Sequence, residues 1–255
     1  MVKRIYICHD TREGLFSALY DAWKECRESG EAGIAFYGNL ETELFCEYIE
    51  SQPSSKKAKA VEQMIWKHMG SETYGRIYQA SKSMDPEKGT AIFQTMIAAR
   101  DIGQSDKIMD HLTNPAVKKV HDLSKTVGNE QHFFKEILRF KELKNGILYA
   151  RMEPKHRIIE GIAPHFENRL PLENWLIYDA QHQECAVHEA GKRWILVSEV
   201  SVDEELLEHV SESEKYMQRL WKQFFHDISI KERESDKRQK RMLPLKYRKN
   251  MVEFE

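Results

Sequence analysis

The sequence predicts an α+β fold: a helical middle region, a small and mostly antiparallel sheet, and a long C-terminal helix packed on that sheet. Three observations predict it. Apolar residues between about 57 and 127 recur at helical spacing. From about 138 to 198 they fall instead into short runs separated by turn residues. Between Glu212 and Ile230 a single amphipathic stripe returns. The expected organisation is one domain over 1–255, helix-rich over about 10–127, mixed α/β over about 128–230, with a basic segment over 231–255.

Val2–Cys8 reads as a strand centred on Ile5, Tyr6 and Ile7. Asp10, with Glu13 three residues on, matches the start of a helix whose stripe is Leu15, Phe16, Leu19, Ala22, Trp23 and Cys26. A strand–turn–helix start can bind phosphate, but Gly14 is the one nearby glycine, so that signal is weak. Leu44–Ile49 reads as a second strand, and residues 51–57 as a polar break. Two helical stripes follow, Val61, Met64, Ile65 and Met69, then Ile92, Phe93, Met96 and Ile97. Asp85-Pro86 and Asn114-Pro115 mark helix starts, because proline tolerates the first helical position.

The pattern changes after Gly128, where a short helix is expected to begin at Asn129 or Glu130. Asn145-Gly146 predicts a hairpin between strands near 138–144 and 147–152. Pro154 and Pro164 then bracket one or two helical turns. Trp175–Tyr178, Glu184–His188 and Trp194–Ser198 read as short strands. In the last long helix, Tyr216, Leu220, Trp221, Phe224, Phe225 and Ile228 are expected to face the core.

With 41% hydrophobic and 31% charged residues, the 255-residue composition is that of an ordinary globular chain. A chain of this length buries roughly 70–75% of the surface its unfolded form exposes, so neither disulfide nor metal is needed to fold it. No apolar run approaches the ~20 residues of a membrane span, and MVKRIYICHD lacks a signal-peptide core. Cys8, Cys26, Cys46 and Cys185 are scattered, with no CxxC pair. The expectation is a cytoplasmic protein with reduced thiols, no membrane contact, no cofactor and no bound metal. Nine Lys/Arg stand against three Asp/Glu over 231–250, a net of +6, which leaves −8 for the rest of a chain whose total is −2.

The stretch EPKHRIIEGIAPHFENR, Glu153–Arg169, concentrates polar chemistry. As one helix it would align Ile158, Ile159, Ile162, Phe166 and Leu170, with His156 and His165 on opposite edges of that stripe. Pro164 suggests a fresh turn starting there, so a shared site is neither built nor excluded. Structural histidines, polar ligand contacts and a metal all remain open, although HExxH is absent. His132, Glu136 and Arg139 would share a helix face, but the hairpin reading puts Arg139 on a strand instead. There it would bind a carboxylate or a phosphate, an internal Arg–Glu pair being the bland alternative. In the basic segment Arg233, Lys237, Arg238, Lys240, Arg241, Lys246, Arg248 and Lys249 surround Tyr247. Cations at this density neutralise phosphates and a ring can stack on a base; a solvated face is the bland alternative. No Walker A, GxGxxG, GxSxG or paired-carboxylate motif supports an independent catalytic centre.

Five stretches together carry a resemblance: NEQHFFKEILRF (129–140), YARMEPKHRIIEGIAPHFENR (149–169), NWLIYD (174–179), LWKQFFHDISIKER (220–233) and LPLKYRKNMVEF (243–254). The chain resembles, over essentially its whole length, a family of bacterial proteins described as DNA-metabolism or DNA-repair proteins and lacking an established reaction. Members are encoded beside a radical-SAM protein of DNA modification or repair. In other members the same region is fused to a uracil-DNA glycosylase domain. The resemblance implies a DNA partner, a radical-SAM partner and a functional link to a uracil-DNA glycosylase. Its matching polar residues are His132, Arg139, His156, His165, Arg169, Asp179, Arg233, Gln239, Tyr247 and Asn250. Ser235 and Asp236 depart from the asparagine and proline expected there, which puts the local shape of 233–240 in question. Two readings follow: an accessory protein that binds DNA for a radical-SAM enzyme, or a nuclease or base-processing enzyme with a His/Arg site. A pocket joining His156, His165 and Arg139 would favour the second.

Overall fold

The computed structural model describes residues 2–29, 31–40, 42–200, 209–228 and 235–254. Contacts divide the chain into two compact units, Met1–Asn129 and Glu130–Glu255. The fold is α+β, as the periodicity predicts.

The first unit is built on a parallel sheet, with β1 (Lys3–Cys8) between β2 (Ala32–Phe36) and β3 (Cys46–Glu50). The strand β2 is absent from the sequence reading. Its edge is closed by Thr90, whose hydroxyl accepts from the Ile34 N–H at 2.9 Å and donates to the Ile34 carbonyl at 3.2 Å. Helix α1 (Arg12–Cys26) buries Leu15, Phe16, Leu19, Ala22 and Cys26 from the predicted stripe. Its N-cap is Thr11 rather than Asp10: the Thr11 hydroxyl accepts from the Gly14 N–H at 3.0 Å. Asp10 is engaged elsewhere, by the buried Lys88, whose Nζ sits 2.6 Å from Asp10 Oδ1 and 2.5 Å from the Ser83 carbonyl.

Helices α2 (Ser55–Ser81), α3 (Lys88–Asp101) and α4 (Pro115–Ile137) follow, with a 3-10 segment over Ser105–Asp110. Gly70, at φ +82°, breaks the helical backbone within α2. At the start of α4 the Asn114 side chain accepts from the Ala116 N–H at 2.9 Å, and Pro115 takes the first position. The expected break after Gly128 does not occur; α4 runs straight through it. Tyr6, Phe16, Leu19, Ile65, Ile77, Ile92, Phe93 and Met96 are the buried centre of this unit.

The second unit holds a five-stranded sheet in chain order: β4 (Lys141–Glu142), β5 (Leu148–Met152), β6 (Trp175–Asp179), β7 (Glu184–His188) and β8 (Ile195–Ser198). Of these, β5 and β6 pair in parallel, because α5 (Ile159–Arg169) crosses between them; the other pairs are antiparallel. The Asn145-Gly146 hairpin forms: Gly146 takes φ +79°, and the Leu143 N–H donates to the Ile147 carbonyl at 2.9 Å. In α5, Ile159, Ile162 and Phe166 are buried as the stripe predicts, and Ile158 just before it is too. Pro164 lies inside this one helix, so the fresh turn expected there is absent.

Helix α6 (Glu212–Asp227) departs from expectation in its packing. Its N-terminus docks on β4, where the Ser213 hydroxyl donates to Glu142 Oε2 at 2.9 Å and the Glu142 N–H donates to Glu214 Oε2 at 3.1 Å. Its C-terminal end sets Phe225 against Phe254, rings 5.7 Å apart. Between these anchors Tyr216, Leu220, Trp221 and Phe224 are exposed, as is Ile228 just beyond the helix, and none of them faces a core. Helix α7 (Asp236–Met242) begins where the resemblance breaks: the Ser235 hydroxyl accepts from the Arg238 N–H, so Ser235-Asp236 starts a helix. The 3-10 segments Leu245–Asn250 and Val252–Phe254 close the described chain.

Candidate nucleic-acid interface

Strand alternation decides which residues can meet in the second unit. On β5, Tyr149 and Arg151 point to one face of the sheet, and Ala150 and Met152 to the other. The register pairs Met152 with Asp179 and Ala150 with Ile177, so Asp179 lies on the face opposite Arg151. The Tyr149–Arg151 face lines a groove of about 660 Å³. Its cations are Arg139, Lys141, Arg151 and Lys249, against the carboxylates Glu214 and Glu253. Its other wall is α6, which contributes Met217, Gln218 and Trp221 at helical spacing. A second, smaller cleft shares Arg139, Arg151 and Asn250 with it.

The wall cations are held by defined partners. Arg139 is on neither helix nor strand; its Nη1 donates to the Glu136 and Ile137 carbonyls at 3.3 and 3.2 Å, and its Nη2 lies 3.6 Å from Glu253. Arg151 and Lys249 both approach Glu153, at 3.2 and 3.6 Å. Lys141 Nζ sits 5.5 Å over the Tyr149 ring. The pairs that Arg151 and Lys249 make with Glu153 are partly open to solvent, where an ion pair is worth about 0–1 kcal/mol, so a phosphate can compete for these two cations; Arg139 is held by Glu253, whose side chain is only 5% exposed.

The six residues of the predicted polar site do not converge. His132 is on the exposed surface of α4, 3.2 Å from Glu136. His156 is buried, and its N–H donates to Glu130 Oε2 at 2.8 Å. His165 lies edge-on to Phe166, rings 5.0 Å apart. Desolvation, then the charges of Lys135 and Arg169, push its pKa below the ordinary histidine value. Arg169 is exposed at the end of α5. Asp179 is fully buried at the end of β6, where it accepts from the Gln181 and His182 N–H groups of the following turn at 3.0 and 3.1 Å and sits 2.7 Å from His182 Nδ1. Beside it Glu184, whose pKa is raised chiefly by desolvation, accepts from Arg157 at 2.5 Å. Of the six, only Arg139 lines the groove, and it is joined there by neither His156 nor His165.

The basic segment divides in two. Lys237, Arg238, Gln239, Lys240 and Arg241 are exposed on α7, as are Lys246 and Lys249 beyond it. Tyr247 is not a free stacking ring: it packs on Phe133 and Phe134 at 5.0 and 5.3 Å, and its hydroxyl donates to Glu130 Oε1 at 3.4 Å. Arg248 stacks over Phe254 at 4.5 Å and donates to the Leu243 carbonyl at 3.0 Å. Both therefore hold the segment in place. Arg233 lies outside the described residues. Sequence reasoning missed Glu130, Lys141 and Arg151, and assigned Trp221 to the core; the signal for Arg151 was an arginine alternating with apolar residues in LYARM. Among the described residues no group of three or more His, Cys, Asp or Glu is placed to hold a metal ion, and no helix is long and apolar enough to cross a membrane.

No curated protein matches the chain. Among solved structures it is similar to a DHH domain described as a member of a family of ribosomal proteins, at 10% identity over 74% of each chain with a TM-score of 0.28. It is also similar to a chain described as a putative family II inorganic pyrophosphatase of Methanococcus jannaschii, at 13% identity over 79% of this chain and 76% of that one, with a TM-score of 0.19. Scores this low carry neither fold nor chemistry across. The family match is extensive by contrast: residues 86–253, well over half the chain and all of the groove's walls, match a domain of unknown function, and the chain belongs to that family, DUF4130.

Proposed function

We propose that this chain is a DNA-binding accessory protein of DNA metabolism or repair, acting in the cytoplasm beside a radical-SAM protein. The observation that carries the DNA-binding part is the groove that gathers Arg139, Lys141, Arg151 and Lys249, with Glu214 and Glu253 in its lining and Glu153 paired to two of the cations. Lys237, Arg238, Lys240 and Arg241 are further exposed cations of the same unit. Clustered cations bind the phosphate backbone by releasing its counterions, whatever the base sequence. The radical-SAM partner and the link to a uracil-DNA glycosylase rest on the family resemblance alone. The enzymatic alternative, a nuclease or base-processing activity at a His/Arg site, gains no support from the geometry, because the histidines and Arg139 do not share the groove.

Fluorescence anisotropy across a salt series tests the proposal. Binding should weaken with salt, with a log–log slope near −0.9 per phosphate on duplex and about −0.7 per phosphate on single strands. Absence of binding to single-stranded, duplex and uracil-containing DNA at low salt would reject it.

A further inference from the structure

We infer that the groove takes a single strand of nucleic acid, with its phosphates on the sheet wall and its bases on the α6 wall. This rests on the DNA-binding reading above and adds the strand type and the division of labour. The two walls differ in chemistry. The groove cations are Arg139 just before β4, Lys141 on β4, Arg151 on β5 and Lys249 on the C-terminal 3-10 segment; α6 contributes no cation, and its one charged groove residue, Glu214, accepts from the Glu142 N–H. The α6 wall presents Met217 and Trp221, which are 59% and 41% exposed. The apolar surface continues along α6 through Leu220 and Phe224, the latter's ring 5.9 Å from that of Trp221.

A large exposed apolar stripe on a helix that buries no residue of its own calls for an occupant. The occupant must offer anionic groups on one side and flat apolar faces on the other. A single strand does so, since its phosphates and unstacked bases project apart. A duplex does not: its base faces are stacked on one another and its phosphates face outward on both strands. A peptide of acidic residues alone supplies the charge without the rings.

The test compares binding of a single DNA strand of about 12 nucleotides, within the site sizes of single-strand binders, and its hairpin duplex under the same low-salt conditions. The single strand should bind at least about tenfold tighter, the expected scale for one good base–aromatic stack. Trp221→Ala should weaken single-strand binding roughly 5- to 100-fold, while Trp221→Phe keeps it within about threefold. Trp221 is 41% exposed, so its truncation removes some packing; binding is therefore compared on protein shown by thermal melting to be folded at the assay temperature, which separates lost stacking from lost folding. Duplex binding as tight as single-strand binding, or Trp221→Ala without effect, overturns the inference and leaves the DNA-binding reading standing. A polyglutamate peptide that competes as well as the oligonucleotide also overturns it, since it carries no bases. No binding to either DNA form removes the reading beneath it.

Discussion

Replacing Glu130 should destabilise the second unit and loosen the segment that carries Lys249. The Glu130 carboxylate accepts from the Lys155 N–H at 2.9 Å, the His156 N–H at 2.8 Å and the Tyr247 hydroxyl at 3.4 Å. It thus ties the loop before α5 and the C-terminal 3-10 segment to α4. A hydrogen bond to a charged group contributes about 1.5–3 kcal/mol when shielded from water. The Lys155 bond is exposed and the Tyr247 bond is long, so each counts for less than that. The sum for Glu130→Ala is about 2–4 kcal/mol, dominated by leaving the His156 N–H without its acceptor. At about 4 °C per kcal/mol for a unit of this size, melting should fall by about 8–16 °C. Glu130→Gln keeps an acceptor and should lose less. Tyr247→Phe, still packed on Phe133 and Phe134, should cost only about 0.5–1 kcal/mol. Calorimetry on the three variants, with the double variant closing a cycle, reads these values. Melting of Glu130→Ala within about 2 °C of the parent would refute the reasoning, because no charge-assisted bond of ordinary strength could then be present.

Asp10→Asn removes the carboxylate 2.6 Å from the buried Lys88 ammonium and should cost about 3–5 kcal/mol, whereas Lys118→Ala, which opens a pair with Asp122 in which both side chains are more than half exposed, should cost about 1 kcal/mol or less; equal losses in urea melts would contradict this. Burial pushes the Cys8 and Cys185 thiols up to about 12, and Cys26 is buried too; the Cys46 thiol is also raised, by desolvation and by Glu43, but it is the one of the four that is not buried, so a thiol reagent at about pH 8 should modify it first. Rapid reaction of three or more thiols in the folded protein would show those burials wrong. The depressed pKa of His165 means that the unfolded chain takes up its proton more readily than the folded one. Stability should therefore fall as pH drops below about 6.5, the ordinary histidine value, toward the folded pKa. His165→Gln should shrink that fall in melts from about pH 7.5 to about 5, and an unchanged fall would assign it elsewhere.

Much of the fold is legible in the sequence. The strand Glu184–His188 reads at its observed bounds, the Asn145-Gly146 turn forms, and the α5 stripe is buried where its spacing puts it. The strand Ala32–Phe36 is not legible, because AGIAF is small-residue sequence without alternation, and its burial comes from α3 and β1. Gly128 reads as a break, yet it stays helical; the atoms nearest to a Cβ there would be the end of the flexible Gln79 side chain, and α4 tolerates the glycine within its run. Asp10 looks like a cap because its partner Lys88, far along the chain, is invisible to local patterns. The amphipathic stripe of α6 reads as core-facing, since periodicity shows that a face is apolar but not what covers it. The same limit applies to the site. Arg139 and Lys249 stand out in the sequence, but their meeting with Arg151 and Trp221 depends on strand pairing and on which face of β5 each side chain takes.

The salt dependence of DNA binding after neutralising two groove cations tests the central claim most directly. Lys141→Ala combined with Lys249→Ala suits this, because Lys249 is 68% exposed and Lys141 is only partly buried. If both meet phosphates, the log–log slope on a single strand should become shallower by about 1.4 while melting stays near the parent value. An unchanged slope with folded protein would place the phosphates elsewhere and contradict the groove as the nucleic-acid interface.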